Sequence, residues 1–408
     1  MVDCKCYIGV VEMSLKFEKR HHNRIYLDYA ATTPVDPRVV EAMLPYFTER
    51  YGNASSLHSN GRESKLAMDN SRKLIANLMN AVSNEIFFTS SATEANNWVL
   101  KGHAFQMGKD ETHIAISTIE HDCILNSANW LKKIGYNVSY LPVDDFGLID
   151  TASLEKTLGD GATLVSVIHG NNEIGTVEPI EEIGSLCREH GALFHTDAAQ
   201  TFGKIPIDVR KMDIDLMTVN AHKLYGPKGV GALFIREGVN LSPLLHGGGQ
   251  ERGRRSSTEN VSGIVGFGKA AELRSEEMEE EAVRLSGLRD KLINGALVIP
   301  ESYLNGHPLW RLPNNVHLRF SYIEGEGLIL SLDSYGISAS TGSACSSHSL
   351  DPSHVLLAIG LTPLEAHGSL RLSLGKYNTD DDIDYVLDVL PRSVKRLREI
   401  SPLTPSEL

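Results

Sequence analysis

The feature that most constrains this chain is a repeated alternation of short apolar runs with amphipathic stretches, between about residues 36 and 261. The apolar runs have the length of strands, and the amphipathic stretches have the length and period of helices. This β-α-β rhythm predicts an α/β fold with a mostly parallel central sheet covered by helices. Sheets of this kind bind their ligands beyond the carboxyl ends of their strands.

The predicted elements follow from local signals. One helix should begin after Asp36, which would cap it, with Pro37 in its first turn. Further helices are predicted at 66–79, 124–134 and 179–190. The predicted strands of this part are 85–89, 112–118, 163–169, 192–197, 215–219 and 230–235.

The pattern changes after about Ser262, where a long helical stretch rich in Glu and Arg runs through Leu292. Since 408 residues exceed what one simple core usually organises, we predict two domains. The large domain would cover 24–261, including an N-terminal arm, and a smaller α+β domain 262–408. The small domain is predicted to contain strands 315–320 and 369–374 and helices 325–332, 353–359 and 380–390. Residues 1–23 are predicted to form a flexible tail.

Composition narrows the functional classes. The formal net charge of −13 disfavours nucleic acid and anionic membranes as partners, and no apolar run is long enough to span a bilayer. An odd, sparse cysteine count argues against a disulfide framework and for a reducing, cytoplasmic location. The five cysteines are Cys4, Cys6, Cys123, Cys187 and Cys345.

One segment of the large domain has the features of a phosphate site. At Thr89–Ala95 a strand ends, small residues turn and a helix begins. Backbone N–H groups at such a helix start suit a phosphate. A capping box between Ser91 and Glu94 is an alternative interpretation.

Two charged residues follow neighbouring predicted strands. Asp197 ends one strand, and a buried carboxylate requires a partner, which is either a pyridinium nitrogen or the start of a helix. Lys223 lies beyond the next strand, before a glycine-rich turn. A partly desolvated lysine forms Schiff bases with aldehydes, whereas an ordinary loop lysine stays in solvent. Together the two residues supply what a pyridoxal 5'-phosphate (PLP) site needs.

These and other motifs resemble those of the cysteine desulfurases of the NifS/IscS type, within the aminotransferase class V group of PLP enzymes. The resemblance runs in order over roughly residues 25–400 and implies the PLP-dependent transferase fold type I. The matching segments are Tyr26–Pro34, Thr89–Glu94, Glu120–His121, Asn171–Gly175, His195–Gln200, Ala221–Gly229, His246–Gly249, Arg255–Thr258 and Ser343–Cys345.

The resemblance implies roles for the matching residues. Lys223 would hold the cofactor aldehyde and move protons, Asp197 would pair with the ring nitrogen, and Gln200 would bind the phenolic oxygen. His121 would stack on the ring and assist as an acid or base, although a lone histidine after a strand is more often structural. The remaining cofactor-binding positions would be Ala92, Thr93, Asn172, Asn220 (where many relatives have Ser), Ala221, His222 and, from a neighbouring subunit, Thr258.

The same resemblance places the substrate and the sulfur acceptor. Asn172 and Arg371 would clamp the carboxylate of L-cysteine, the arginine in a bidentate contact. The alternative for Arg371 is a charge on the outer face of an edge strand. Cys345 lies in a small, polar segment at 338–352 that we expect to be a mobile loop. Its thiol would take the sulfur as a persulfide, and an incidental loop cysteine is the alternative.

The function implied is that of a PLP-dependent cysteine desulfurase that makes L-alanine and delivers sulfur to an iron–sulfur scaffold protein or another acceptor. The resemblance also implies a homodimer without a resident metal, and it leaves open an iron–sulfur cluster shared transiently through Cys345. Two other functions remain open. One is another class V PLP enzyme, namely a selenocysteine lyase or an aminotransferase, and the other is a non-catalytic sulfur carrier.

Overall fold

The computed structural model describes residues 24–342 and 352–405. Cys4, Cys6 and Cys345, together with most of the predicted loop at 338–352, therefore lie outside the described residues. The strands are β1 (Ile25–Tyr26), β2 (Ile86–Thr89), β3 (His113–Ser117), β4 (Asn137–Leu141), β5 (Leu164–Ser166), β6 (Leu193–Asp197), β7 (Leu216–Asn220), β8 (Gly231–Ile235), β9 (Ser302–Leu304), β10 (Asn315–Phe320), β11 (Ile337–Ser338) and β12 (Ser369–Ser373).

The helices cover both faces of the largest sheet and pack on the smaller one. They are α1 (Pro37–Met43), α2 (Pro45–Thr48), α3 (Ser59–Asn77), α4 (Ala92–Met107), α5 (Asp122–Lys133), α6 (Thr151–Gly159), α7 (Ile180–Glu189), α8 (Val261–Ala296), α9 (Gly325–Ser334), α10 (His354–Ala358), α11 (Pro363–His367) and α12 (Asp380–Ile400). Among the described residues, no helix combines the length and the apolarity that a bilayer span requires.

The largest sheet has seven strands in the order β2-β8-β7-β6-β5-β3-β4. All neighbours are parallel except β8, which is antiparallel to both β2 and β7. Its central strands are buried along their whole length, which explains their continuous apolar sequences. The prediction of a mostly parallel, helix-covered sheet is confirmed.

A second core surrounds the antiparallel sheet β12-β10-β9. Helix α8 joins the two cores, because Phe267 in its first half packs in the large core and Leu292 in its second half packs in the small one. The N-terminal arm also reaches the small core, where Leu27 is fully buried and β1 pairs with β11. The proposed division at residues 261/262 thus lies at the start of a helix that both cores share.

Most of the predicted elements are present, within a few residues of the expected ends. Asp36 caps α1 by accepting the N–H of Arg38 at 2.9 Å, and Pro37 occupies the first turn. Strand β4 and helix α6 are absent from the sequence-based prediction, because β4 is half polar and α6 buries only two leucines. Helix α12 extends to Ile400 rather than ending at 390, and it contains Pro391.

Candidate active site

The end of the site that is predicted to bind the phosphate lies where the ends of β2, β7 and β8 align. Thr89 at the end of β2 and Asn220 at the end of β7 both pair with Gly231 of β8. This alignment brings the first turn of α4, with Ala92 and Thr93, beside the segment 220–222. A side chain at Gly231 would come within 3.0 Å of the Ser91 carbonyl carbon. The absence of a side chain there allows the two segments to approach.

Part of the predicted capping box is present. The hydroxyl of Ser91 accepts the N–H of Glu94 at 3.1 Å. The carboxylate of Glu94 accepts the N–H of Ser90, one residue before the cap, at 2.8 Å, and two hydrogen bonds from Arg255 at 2.7 and 3.0 Å. This ion pair ties the segment that contains Thr258 to the start of α4. Thr258 itself is exposed, and no described residue places it against the other site residues.

Lys223 and Gln200 converge on one backbone carbonyl. The Lys223 ammonium donates to Ala30 O and, at 2.6 Å, to Ala31 O. The side-chain amide of Gln200 donates to the same Ala30 O at 2.9 Å. Ala30 is fixed in turn, because its N–H donates to Ser373 Oγ at 2.8 Å. The Lys223 side chain is therefore partly buried and hydrogen-bonded to the chain rather than extended into solvent.

The surroundings of Lys223 are electropositive. Lys204 Nζ donates to Gln200 Oε1 at 3.0 Å. Burial, followed by the charges of Lys223 and Arg274, lowers the pKa of Lys204 to about 7. Burial and the neighbouring lysines similarly lower the pKa of His222 to about 4. A positive field that disfavours further protonation suits a ligand that bears a phosphate and a carboxylate.

The side chains of Asn96 and Cys123 connect Asp197 to His121. Asn96 Nδ2, on α4, lies 2.6 Å from Asp197 Oδ2 and 3.2 Å from Cys123 Sγ. Cys123 Sγ lies 3.1 Å from His121 Nδ1. The second carboxylate oxygen of Asp197 accepts the N–H of Ala199 at 2.9 Å. Asp197 thus makes the local turn contact expected of a cap and also faces the site.

His121 has a structural role as well. It caps α5, because its Nδ1 accepts the N–H of Cys123 at 3.2 Å. The preceding residue, Glu120, is fully buried. Burial and the charge of Asp197 raise the pKa of its carboxyl well above the ordinary range. Ser117 donates to this carboxyl at 3.1 Å.

Arg371 is only 2% exposed, so the outer-face alternative is wrong. Its Nη1 donates to Asn172 O at 2.9 Å and to Gly342 O at 2.8 Å. Its Nη2 lies 3.1 Å from Asp28 Oδ1. The buried Nε has no hydrogen-bond partner among the described residues. A buried N–H of a charged group without a partner is costly, and a carboxylate would satisfy it.

Glu173 touches both borders of the segment that contains Cys345. Its Oε2 accepts the hydroxyl of Ser353 at 2.6 Å, and a side chain added at Gly342 would lie 2.8 Å from the same oxygen. Burial raises the pKa of Glu173. The neighbouring Asn172 contacts Arg371 through its backbone, so these contacts connect the segment borders to the predicted carboxylate clamp.

Three further residues belong to this site and were not predicted from the sequence: Asn96, Cys123 and Lys204. Cys123 and Cys187 both lie in helices, and Cys187 is fully buried, which raises its pKa to about 12. Cys123 is instead only partly buried, because it lies in the first turn of α5 beside His121. The one sequence signal for Cys123 was the His-x-Cys spacing at the start of a predicted helix.

Comparisons with known proteins show the family to which this chain belongs. The family Aminotransferase class-V matches residues 25–386. Cysteine desulfurase IscS of Methanosarcina thermophila is 53% identical over 383 residues, covering 94% of this chain and 95% of its own. The enzyme of the same name from Clostridium botulinum strain Hall is 55% identical over 385 residues, covering 94% and 97%. This chain belongs to the cysteine desulfurases of the NifS/IscS type.

Solved structures of this family share the fold. A NifS-like protein superimposes with a TM-score of 0.86 at 40% identity, covering 92% of this chain and all of its own. SspA in complex with cysteine gives 0.78 at 38% identity, covering 87% of this chain and all of its own. The fold is therefore PLP-dependent transferase fold type I, as the resemblance implied. The family uses PLP as its cofactor.

The residues present fit that cofactor. Lys223 and the amide of Gln200 both donate to the backbone at Ala30 and Ala31, and the buried carboxylate of Asp197 lies on the neighbouring strand. The first turn of α4, with its backbone N–H groups, lies near the end of β7. The local charge is positive, as a phosphate requires. These groups come from separate parts of the chain, and the carboxyl edge of the sheet brings them together.

Proposed function

We propose that this protein converts L-cysteine to L-alanine and receives the sulfur on Cys345 as a persulfide. The convergence of Lys223 and Gln200 on Ala30 O, one strand away from Asp197, is the observation that carries the proposal. It supplies groups for an aldehyde, a phenolic oxygen and a ring nitrogen within one site. Relatives named cysteine desulfurase support the same assignment.

Lys223 is the proposed proton carrier. Bound between Lys223 and Asp197, PLP supplies an electron sink for negative charge at the α-carbon of the substrate. The Nζ of Lys223 removes the α-proton and returns it at the end of the reaction. Lys204 lies beside this group, and burial together with the charge of Lys223 lowers the pKa of Lys204 to about 7. His121 is the proposed second acid–base group.

The carboxylate of the substrate is assigned to Arg371 and Asn172. The guanidinium already contacts the Asn172 backbone, and its Nε points to no other described partner. Two parallel N–H···O bonds would fix the substrate in one orientation. The phosphate is assigned to Ala92, Thr93, Asn220, Ala221 and His222, with Thr258 supplied by a second subunit.

Sulfur transfer is assigned to Cys345, which lies outside the described residues. Its thiolate attacks the substrate sulfur, so that an S–S bond forms while the bond between Cβ and sulfur breaks. The electron pair of that bond stays with the carbon skeleton, which takes up protons and leaves as alanine. The balance is cysteine plus thiol to alanine plus persulfide, and no external oxidant is required.

Two substitutions test the proposal. Lys223→Ala should abolish both alanine and sulfide formation from cysteine, and it should abolish the visible absorbance of the bound cofactor. Cys345→Ala should abolish sulfur release and leave that absorbance intact. Cys187→Ala is the matched control for loss of a thiol and should retain activity. Full activity in Cys345→Ala would instead favour another class V enzyme, and a wild-type protein that binds no PLP would favour a sulfur carrier.

We further propose a cytoplasmic homodimer that hands the persulfide to an iron–sulfur scaffold protein or another thiol acceptor, without a nucleic-acid or membrane partner. The exposure of Thr258, together with the ion pair of Arg255 and Glu94 that ties its segment to α4, supports a role for Thr258 in trans. Sedimentation should give twice the mass of the chain. A monomer with bound cofactor would contradict the assignment of Thr258, and trapping the persulfide identifies the acceptor.

A further inference from the structure

We propose that Asn96 and Cys123 are positioning residues: they form a hydrogen-bonded bridge between Asp197 and His121 that orients the His121 ring and, together with the backbone cap of α5, fixes which nitrogen carries its proton. The proposal depends on the proposed function only for the roles of Asp197 and His121. The hydrogen bonds that support it are all contacts within this chain. The four side chains form a continuous path, with heavy-atom distances of 2.6, 3.2 and 3.1 Å.

Counting donors and acceptors fixes the direction of the bridge. Asn96 has two N–H donors on Nδ2, and two acceptors are in reach, Asp197 Oδ2 and Cys123 Sγ. Both donors are then used. The sulfur of Cys123 accepts from Asn96, and its S–H is directed to the remaining neighbour, His121 Nδ1, at 3.1 Å.

A second contact gives the same result independently. The backbone N–H of Cys123 donates to His121 Nδ1 at 3.2 Å as part of the cap of α5. A nitrogen that accepts a backbone N–H carries no proton of its own. The neutral ring of His121 therefore has its proton on Nε2, and this atom is the one that exchanges protons in the site.

The bridge is nearly inaccessible to solvent at its Asp197 end. Asn96 is fully buried and Asp197 is 4% exposed, so their hydrogen bond has little competition from water. Asn96 belongs to α4, Asp197 ends β6, and Cys123 and His121 lie at the start of α5. The bridge thus connects three elements at the carboxyl edge of the sheet and holds the carboxylate and the imidazole in fixed relative positions.

The direct test is the protonation state of the His121 ring, measured by nitrogen NMR on the cofactor-free protein labelled at histidine. The His121→Gln variant assigns the signals. Wild type and Cys123→Ser should both show the proton on Nε2 and a hydrogen-bonded Nδ1, because serine retains a donor and an acceptor. Cys123→Ala should shift the Nδ1 resonance toward that of a nitrogen with fewer hydrogen bonds. Cys187→Ala, the control thiol, should leave it unchanged.

The holoenzyme provides the second readout. Cys123→Ala and Asn96→Leu should each lower kcat by about tenfold, the order expected when a reacting group loses its orientation. KM for cysteine should stay within about twofold, because the carboxylate clamp is separate. The double variant should lose less than the product of the two single losses, since both break one bridge. Cys123→Ser should recover most of kcat.

Three results would overturn the bridge. They are a wild-type spectrum with the proton on Nδ1, equal kcat values for the serine and alanine variants at position 123, and independent, multiplicative losses in the double variant. The NMR measurement needs no activity, so a failure of the desulfurase proposal would be seen separately, as absent alanine formation by an intact wild-type protein.

Discussion

Replacing Glu178 by glutamine should change how the stability of this protein depends on pH. Glu178 is 3% exposed. Its Oε2 accepts the N–H of Ile149 at 3.0 Å, whereas its Oε1 has no hydrogen-bond partner among the described residues. Burial raises the pKa of this carboxyl to about 8, against 4.5 for the exposed group. The folded protein therefore holds a proton on Glu178 that the unfolded chain releases.

The magnitude follows from proton linkage. Below about pH 4.5 both states are protonated, and Glu178 has no effect on the pH dependence. Between about pH 4.5 and 8 only the unfolded chain ionises, so the free energy of unfolding falls by about 1.4 kcal/mol per pH unit on account of this group. Glu178→Gln cannot ionise, and its amide keeps an acceptor for Ile149. The variant should lose that slope.

Urea unfolding at pH 6, 7 and 8 measures the effect. The advantage of Glu178→Gln over wild type should grow by about 2–3 kcal/mol from pH 6 to pH 8. The matched control is Glu182→Gln, an exposed position on α7, which should follow the wild-type slope. The comparison cancels the contributions of the other buried acids, which both proteins share. Parallel slopes for wild type and Glu178→Gln would refute the reasoning.

Three further predictions concern other parts of the structure. Glu251→Ala should lower the free energy of unfolding by about 3–5 kcal/mol in urea, because it leaves Arg72 buried without its partner at 2.8 Å; an unchanged midpoint would contradict this. Gly231→Ala should cost about 1–3 kcal/mol and weaken PLP binding in a titration, since its side chain would crowd Ser91; unaltered affinity would argue against the alignment of strand ends. Arg371→Lys should raise KM for cysteine about tenfold in steady-state assays, because a lysine cannot form the bidentate contact, and an unchanged KM would remove Arg371 from the clamp.

The layered fold was accessible from the sequence because its signals are local. Continuous apolar runs identify the strands buried on both faces, and the cap at Asp36 with Pro37 marks a helix start without reference to distant residues. Elements with few buried residues escaped prediction: α6 buries only Leu154 and Leu158, so its periodicity is weak. The antiparallel insertion of β8 depends on pairing between distant segments, which periodicity does not encode.

By itself, the sequence determined the alternation of strands and helices and the placement of charged residues directly after strands. It thereby indicated Lys223 and Asp197, and their surrounding motifs identified the family. Only the tertiary structure decided which side chains meet, such as Gln200 with Ala30, and Asn96 with Cys123. Those contacts join residues from separate elements, and their hydrogen bonds depend on distances of a few tenths of an ångström. The packing of the sheet and helices sets these distances, and no local pattern in the chain records them.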